Sequence, residues 1–171
     1  MSEIAERIQQ VRERMAAAAR RAGRDPKRTT LMAVSKTVPP TSIVQAYAAG
    51  LRVFGESRVQ EFAEKRPHLQ ELKDARWTLI GRLQSNKTAK AAELFDAVHS
   101  ADSLRILERL NAAQEQLRRA SLPVLIEINI GGEDAKAGLP PSSKLLQPIL
   151  AAAARLPHIQ LRGLMTVPPY T

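Results

Sequence analysis

One lysine stands where a nucleophile would be useful. Lys36 follows the short apolar run 31–34 and precedes the segment 37–40, which ends in two prolines. Because proline cannot donate to a strand ladder, the strand must end there and leave the lysine at its tip. Apolar neighbours would lower the pKa of this amine, and a free amine attacks aldehydes. Position alone also fits an ordinary solvated lysine, so further signals are needed.

Other motifs for chemistry are weak. The three histidines (His68, His99 and His158) are scattered without metal-ligand spacing, and cysteine is absent, which excludes thiolate metal sites and a cysteine nucleophile. Ser35 has no G-x-S-x-G context. Neither a G-x-G-x-x-G nor a G-x-x-x-x-G-K-[ST] motif occurs, which counts against a dinucleotide or P-loop site. We therefore expect no metal site and no hydrolase.

Length and composition indicate one soluble domain spanning residues 1–171, with 44% hydrophobic and 25% charged residues. The net charge of +9 is spread along the chain without a basic block, and only three Phe, two Tyr and one Trp are present. So few aromatic residues cannot build a base-stacking platform, so we expect no nucleic-acid partner. No apolar run reaches membrane-spanning length and the N-terminus is charged, which predicts a cytoplasmic protein with no membrane partner.

Helical and strand patterns alternate along the chain. Residues 2–22 carry apolar side chains at spacings of three and four, which predicts an amphipathic helix closed by Gly23. Short apolar runs rich in β-favouring residues follow, separated by helical patterns. The predicted strands are 30–35, 51–55, 77–81, 95–100, 122–130 and 159–165. The predicted helices between them are 41–49, 57–73, 85–94, 102–119 and 142–155.

This alternation predicts an α/β fold built from parallel βα units, either a doubly wound sheet or a barrel. Without a dinucleotide motif, the (βα)8 TIM-barrel type is favoured. Strand starts lie about 26 residues apart, so eight units after the leading helix need roughly 235 to 240 residues, consistent with the usual size of such barrels. We therefore expect about six of the eight units, a C-terminally incomplete domain, and exposed strand edges that could pair with another chain.

Several segments resemble one family in register. They are Ala33-Val34-Ser35-Lys36-Thr37, Phe54-Gly55-Glu56, Leu79-Ile80-Gly81 with Leu83-Gln84-Ser85-Asn86-Lys87, the run 125–130, and Leu161-Arg162-Gly163-Leu164-Met165. The chain closely resembles the pyridoxal phosphate homeostasis proteins, single-domain relatives of the alanine racemase N-terminal barrel. The resemblance runs from about residue 4 to residue 171.

The resemblance implies a barrel that holds pyridoxal 5′-phosphate as a Schiff base on Lys36. Ser57 replaces an asparagine of the family, which shortens a possible polar contact near the cofactor. Leu83, Ser85 and Asn86 on the loop after the third strand, and Met165 on the sixth strand, are the other implied cofactor contacts. Alternatively, Leu83 and Met165 are plain core and Ser85 caps the next helix. Lys136 matches a second lysine of the family and is expected to be solvated.

The resemblance also implies a function without turnover in intracellular vitamin B6 homeostasis, by a protein that is monomeric in the family. Family members continue into segments that cradle the phosphate, which predicts weak or no cofactor binding by these 171 residues alone. One alternative is a pyridoxal phosphate-dependent amino-acid racemase or lyase. Racemisation needs a second acid/base group, which alanine racemases supply from another domain. Another alternative is an interaction module that pairs through its edge strands.

Overall fold

The structure is a computed structural model that describes residues 2–131 and 137–168. Six parallel strands alternate with helices in the described residues. The strands are β1 (Ala33–Val34), β2 (Val53–Glu56), β3 (Arg76–Leu79), β4 (Ala97–Ala101), β5 (Leu122–Glu127) and β6 (Ile159–Met165). The helices are α1 (Glu3–Arg21), α2 (Pro40–Ala48), α3 (Val59–Lys65), α4 (Thr88–Leu94), α5 (Leu104–Gln116) and α6 (Leu146–Ala153).

The strands form one sheet in the order β1-β2-β3-β4-β5-β6, with every pair parallel. A doubly wound sheet reverses its strand order near the middle, whereas a βα barrel adds each strand beside the previous one. The sequential order therefore confirms the predicted barrel-type α/β fold. In this arrangement the carboxyl ends of all six strands lie at one face, where functional residues of such folds gather.

Aromatic side chains fill the layer between the sheet and its helices. Trp77 of β3 stacks on Phe54 of β2, with ring centroids 5.0 Å apart, and contacts Phe62 of α3 at 4.8 Å. Phe62 also contacts Phe95 at 4.8 Å. All four rings are buried. Each large ring removes much apolar area from water, so this cluster fixes α3 against β2 and β3.

Several element bounds differ from the sequence prediction. The first strand is limited to Ala33–Val34, and the fifth ends at Glu127 rather than residue 130. The helix predicted for 57–73 ends at Lys65 and continues as a 3-10 turn, Arg66–Leu69. Pro67 explains this change, because a proline lacks the N–H that would extend the α-helical ladder.

The strands β1 and β6 lie at the two edges of the described sheet, each paired on one side. Val34 of β1 is 52% exposed and Leu164 of β6 is 59% exposed. These apolar side chains match the exposed edges expected from the sequence. Among the helices of residues 2–131 and 137–168, none is both long and apolar enough to cross a membrane.

Candidate functional site

Lys36 lies directly after β1, at the carboxyl end of the sheet. The preceding residue, Ser35, continues the parallel pairing by donating its backbone N–H to the carbonyl of Gly55 at 2.8 Å. The Lys36 side chain is exposed. Apolar neighbours therefore do not enclose this side chain. The amine is instead open to a ligand from solvent.

A buried polar network fixes the residue before Lys36. Its members are Ser35, Glu56, Glu61 and Lys65, and we call it the Glu56 network. The Ser35 hydroxyl donates to Glu56 Oε1 at 2.8 Å, and Lys65 Nζ lies 3.2 and 3.3 Å from the two Glu56 oxygens. Ser35 is 3% exposed and Glu56 is fully buried. A buried carboxylate needs such partners, so the network also holds β1, β2 and α3 together.

Lys65 joins this network to the backbone on both sides of Lys36. Its Nζ donates to the Ser35 carbonyl at 2.9 Å and forms an ion pair with Glu61 at 2.6 Å. Glu61 Oε1 also accepts the backbone N–H of Thr37 at 2.6 Å. The hydrogen bond from Lys65 and the backbone bond from Thr37 lower the pKa of Glu61, despite a small opposing effect of burial.

Thr37 takes a backbone conformation that side-chain-bearing residues rarely adopt, with φ of +60°. Besides the bond to Glu61, its hydroxyl donates to the Lys36 carbonyl at 2.6 Å. Strained backbone persists only where surrounding contacts enforce it, and such positions cluster at functional sites. Lys36 thus has a freely accessible side chain on a backbone that is held on both sides.

Ser57 and Gly81 bring the ends of β2 and β3 into close contact. A Cβ added at Gly81 would lie 2.2 Å from the carbonyl oxygen of Ser57 and 2.8 Å from its carbonyl carbon. Because those atoms are backbone, no side-chain rotation relieves the overlap. The Ser100 hydroxyl donates to the Gly81 carbonyl at 2.7 Å and ties β4 to the same point. Only glycine therefore fits at the start of the loop after β3.

A groove of about 780 Å³ opens over the carboxyl ends of β2, β3 and β4. Its walls come from the loops that follow these strands and from the first turns of α3 and α5, and we call it the cationic groove. Arg58, Arg82, Lys87 and Arg105 contribute basic side chains, and Asp102 contributes the one carboxylate of the lining. The remaining lining residues are Ser57, Val59, Gln60, Leu83, Gln84, Ser85, Ser103 and Ile106.

Three of the six predicted cofactor contacts, Ser57, Leu83 and Ser85, line the cationic groove. Leu83 also belongs to the buried core. The predicted capping role of Ser85 is not observed, because its carbonyl rather than its hydroxyl is engaged, accepting from Thr88 Oγ1 at 3.0 Å and from Arg109 at 2.9 Å.

Lys36, Asn86 and Met165 lie outside the groove lining. Asn86 is exposed in a 3-10 turn, Ser85–Lys87. Met165 is half-buried at the end of β6, and its carbonyl accepts the Ile128 N–H at 2.8 Å. Lys136 lies outside the described residues. The structure therefore brings three predicted residues together in the groove, with Asn86 next to them in the turn Ser85–Lys87, and leaves Lys36 and Met165 at the ends of the two edge strands.

Sequence reasoning missed an acidic group near the groove. Glu127 ends β5, and its Oε2 is buried with no hydrogen-bond partner in the described part of the chain. Burial raises the pKa of this carboxyl, the nearby charge of Asp102 raises it further, and Arg82 opposes both effects. A single acidic residue within the apolar run 122–130 was the available sequence signal.

One other titratable group, His99, lies in the neighbouring strand. Burial lowers the pKa of His99 in β4. Across the described ranges, no group of three or more His, Asp or Glu side chains could hold a metal ion. The arrangement offers an exposed amine on a fixed backbone and, over the neighbouring strands, a groove rich in cations.

Together, the sequential parallel strands and the lysine at the end of β1 define a βα-barrel protein with an amine at its functional face. A family model for the alanine racemase N-terminal domain matches residues 7–170. A pyridoxal phosphate homeostasis protein of Escherichia coli is 47% identical over 98% of this chain and 71% of its own length. One of Pseudomonas aeruginosa is 44% identical over the whole chain and 73% of its own length.

Solved structures agree with this assignment. PipY of Synechococcus elongatus without pyridoxal phosphate superimposes with a TM-score of 0.86 at 39% identity, over 99% of this chain and 73% of PipY. The form with pyridoxal phosphate bound gives 0.79 at 37% identity, over 99% and 72%. The chain belongs to the alanine racemase N-terminal domain family and, within it, to the pyridoxal phosphate homeostasis proteins, as its motifs predicted.

A more distant likeness concerns the fold alone. A D-threonine aldolase of Filomicrobium marinum superimposes with a TM-score of 0.71 at 18% identity, over 94% of this chain and 40% of the aldolase. Sequence identity at this level shows a shared barrel architecture and carries no argument about activity.

Proposed function

We propose that this chain binds pyridoxal 5′-phosphate through Lys36 and serves vitamin B6 homeostasis without catalytic turnover. One observation carries the proposal: the Lys36 side chain is exposed while the backbone on both sides of it is held by the Glu56 network. Relatives named pyridoxal phosphate homeostasis protein and a PipY structure with pyridoxal phosphate bound support it.

The residues around Lys36 fit covalent capture of an aldehyde. When bound, the cofactor supplies a reactive carbonyl and an electron-withdrawing ring. Lys36 Nζ has no protein partner within hydrogen-bond distance in the described residues, unlike Lys65, whose amine is shared by three groups. The Glu56 network orients the Lys36 backbone, and the exposed side chain can reach a ligand without breaking any existing bond. An amine in this condition can attack as soon as it loses its proton.

Ser57, Leu83, Ser85, Asn86 and Met165 are proposed as the non-covalent contacts of the cofactor. Ser57 is the best placed of them, because β1 and β2 pair in register and Val34 lies opposite Gly55. Lys36 and Ser57 each lie two residues beyond this pair, so both leave the sheet next to each other at its carboxyl end. The other four residues are proposed on family resemblance alone.

The experiment is reductive trapping with a matched lysine control. The 171-residue chain is incubated with pyridoxal 5′-phosphate, reduced with borohydride, digested and mapped by mass spectrometry. We expect the adduct to concentrate on Lys36 and to be sub-stoichiometric at low cofactor concentration, as the sequence predicts weak binding. Lys36→Ala should remove the main adduct, whereas Lys73→Ala, at an exposed lysine far along the chain, should leave it unchanged. An adduct spread evenly over exposed lysines would contradict the proposal.

The absence of turnover is tested separately. The chain loaded with pyridoxal 5′-phosphate is assayed for racemisation of several amino acids and for cleavage of β-hydroxy amino acids. We expect no rate above that of the free cofactor. A rate that exceeds the free cofactor and disappears in Lys36→Ala would replace the homeostasis role with a racemase or lyase function.

A further inference from the structure

The cationic groove is rich in basic side chains. Arg58, Arg82, Lys87 and Arg105 line it. In the described residues, none of their side chains makes a hydrogen bond or a contact ion pair. Asp102 is the one acidic side chain of the lining, so the groove carries three more positive charges than negative ones. A concave surface with one sign of charge concentrates counter-ions.

The groove also has an apolar floor. Val59, Leu83 and Ile106 are buried and belong to the hydrophobic core, yet each contributes to the lining. Hydroxyl and amide side chains, such as those of Ser85 and Gln84, alternate with the cations around them. A volume of about 780 Å³ lies in the usual range for small-molecule sites, and apolar walls with a few convergent polar groups are typical of them.

The helix that borders the groove adds to the positive potential. The 13-residue helix α5 begins at Leu104, and the preceding Ser103 makes no side-chain capping bond. Its first turn contains no acidic residue, and both Ser103 and Arg105 line the groove. The partial positive charge of this helix end therefore acts in the same direction as the four cations.

We propose that the cationic groove is a ligand site, which takes a phosphate monoester with an apolar or aromatic body. The phosphate would lie among Arg82, Lys87 and Arg105. A guanidinium group can donate two parallel hydrogen bonds to a phosphate, and a lysine amine adds a further positive charge. The apolar body would pack on Leu83 and Ile106. Ser57, Leu83 and Ser85 of the lining are also proposed as cofactor contacts, but neither Lys36 nor any residue of β1 lines the groove, so ligand binding in the groove can be measured separately from trapping at Lys36.

Two kinds of ligand carry a phosphate monoester that would fit this groove. One is a separate phosphorylated small molecule, and the other is the phosphate end of pyridoxal 5′-phosphate itself. A nucleic acid backbone offers related chemistry, but the groove lining contains no aromatic side chain on which a base could stack. We therefore favour a small molecule over a polynucleotide.

Nuclear magnetic resonance titration of the whole chain tests the proposal. The probes are inorganic phosphate, adenosine 5′-monophosphate and adenosine. We expect saturable shifts of the amides of residues 82–87 and 103–106, with the nucleotide binding more tightly than phosphate and with no response to adenosine. The variant Arg82→Ala with Arg105→Ala should weaken nucleotide binding about tenfold, as expected from loss of charge-assisted hydrogen bonds.

The matched control removes the same charge elsewhere. Arg24→Ala with Arg155→Ala changes two exposed arginines outside the groove, for which the described residues show no side-chain hydrogen bond or ion pair. This variant should alter binding less than about twofold, because distant exposed charges are screened. Equal weakening by both double variants, or no saturable shift of the groove amides, would overturn the proposal. Tighter binding of a uridine oligonucleotide than of the mononucleotide would overturn the small-molecule assignment.

Trapping at Lys36 then identifies the source of the phosphate. If Arg82→Ala with Arg105→Ala lowers trapping of pyridoxal 5′-phosphate but not of pyridoxal, the groove holds the cofactor's own phosphate. If trapping of both is unchanged while nucleotide binding is lost, the groove serves a separate small molecule. Lys36→Ala should abolish trapping and leave the shifts of the groove amides intact. That result bears on the proposed function alone and leaves the groove proposal standing.

Discussion

Basic side chains lie in two regions at the carboxyl end of the sheet, and the two regions use them differently. In the Glu56 network, Lys65 is buried against the Ser35 carbonyl, Glu56 and Glu61. In the cationic groove, four basic side chains surround open space and none is paired within the described residues. The same type of charge is therefore enclosed by acceptors in one region and left facing solvent in the other.

The difference follows from desolvation. A cation taken out of water must be matched by acceptors, so Lys65 serves the protein itself and fixes the backbone around Lys36. Cations on a concave but hydrated surface keep their water and can exchange it for a ligand at little cost. In the proposed roles, the network holds the backbone near Lys36 rigid, and the groove attracts anions.

The largest expected effect comes from breaking the network. Lys65→Met leaves the fully buried carboxylate of Glu56 without its cation and should lower the free energy of unfolding by about 3 kcal/mol. Lys90→Met removes an exposed pair with Glu93 and should cost less than about 0.5 kcal/mol. Chemical denaturation measures both. Similar losses of unfolding free energy in the two variants would show that the network does not stabilise the fold.

Next in size is the contact that shapes the edge of the groove. Gly81→Ala places a Cβ against the Ser57 carbonyl, and the forced backbone shift should cost about 2 to 3 kcal/mol. Gly23→Ala is the control, because its added Cβ meets nothing within 4 Å; its left-handed backbone alone should cost about 1 kcal/mol. Thermal or denaturant unfolding compares them. A cost at position 81 no larger than that at position 23 would mean that the loop relaxes freely.

Two carboxyl groups allow the two regions to be compared by pH. The pKa of Glu61 in the network is lowered, so its stabilising contribution is present above the usual value of 4.5 and is lost as pH falls through the folded pKa. The pKa of Glu127 beside the groove is raised, so its contribution is present at low pH and is lost as pH rises through the folded pKa.

Isosteric amides test this contrast. At pH 7, Glu61→Gln should destabilise the protein and Glu127→Gln should stabilise it. The Glu61 difference should shrink as pH falls from the usual carboxyl pKa through the lowered folded value, whereas the Glu127 difference should already shrink as pH falls through its raised folded value towards the usual one. In each case the wild-type carboxyl becomes neutral over that range. Denaturant unfolding at several pH values provides the measurement. Effects of the same sign in both variants at pH 7 would refute the proposed difference in environment.

The smallest effect is expected from the groove cations. Arg82→Ala, Lys87→Ala and Arg105→Ala should each change the free energy of unfolding by less than about 0.5 kcal/mol, since these side chains make no contact that folding depends on. Differential scanning calorimetry without added anions suits this test. A loss comparable to that of Lys65→Met would place these cations in the structure rather than in a ligand site.

Much of the fold could be predicted because it depends on local patterns. The alternation of apolar runs and helical periodicity gave six strands and their barrel-type order, and Lys36 was identified as the residue after the first strand. The bounds were less accurate. For example, Pro67 ends α3 at Lys65, whereas the apolar pattern alone continues to residue 73.

The candidate site was only partly predictable. Glu56 and Lys65 are nine residues apart and meet only because α3 packs on β2. The cationic groove combines residues that follow three different strands, and their spacing in the sequence does not predict that they share one cavity. Glu127 was visible as an acidic residue in an apolar run, but its missing hydrogen-bond partner depends on what packs around it.

The sequence by itself determined the family and the α/β barrel type, because these depend on residue order and on periodicity along the chain, and it predicted Lys36 as the reactive amine. Only the tertiary structure decided which charges are paired and which are free. Lys65 ends α3 and Arg82 lies in the loop after β3; one is enclosed by acceptors and the other lines an open groove. Pairing and desolvation depend on distances between elements that are remote in sequence, and the fold sets those distances.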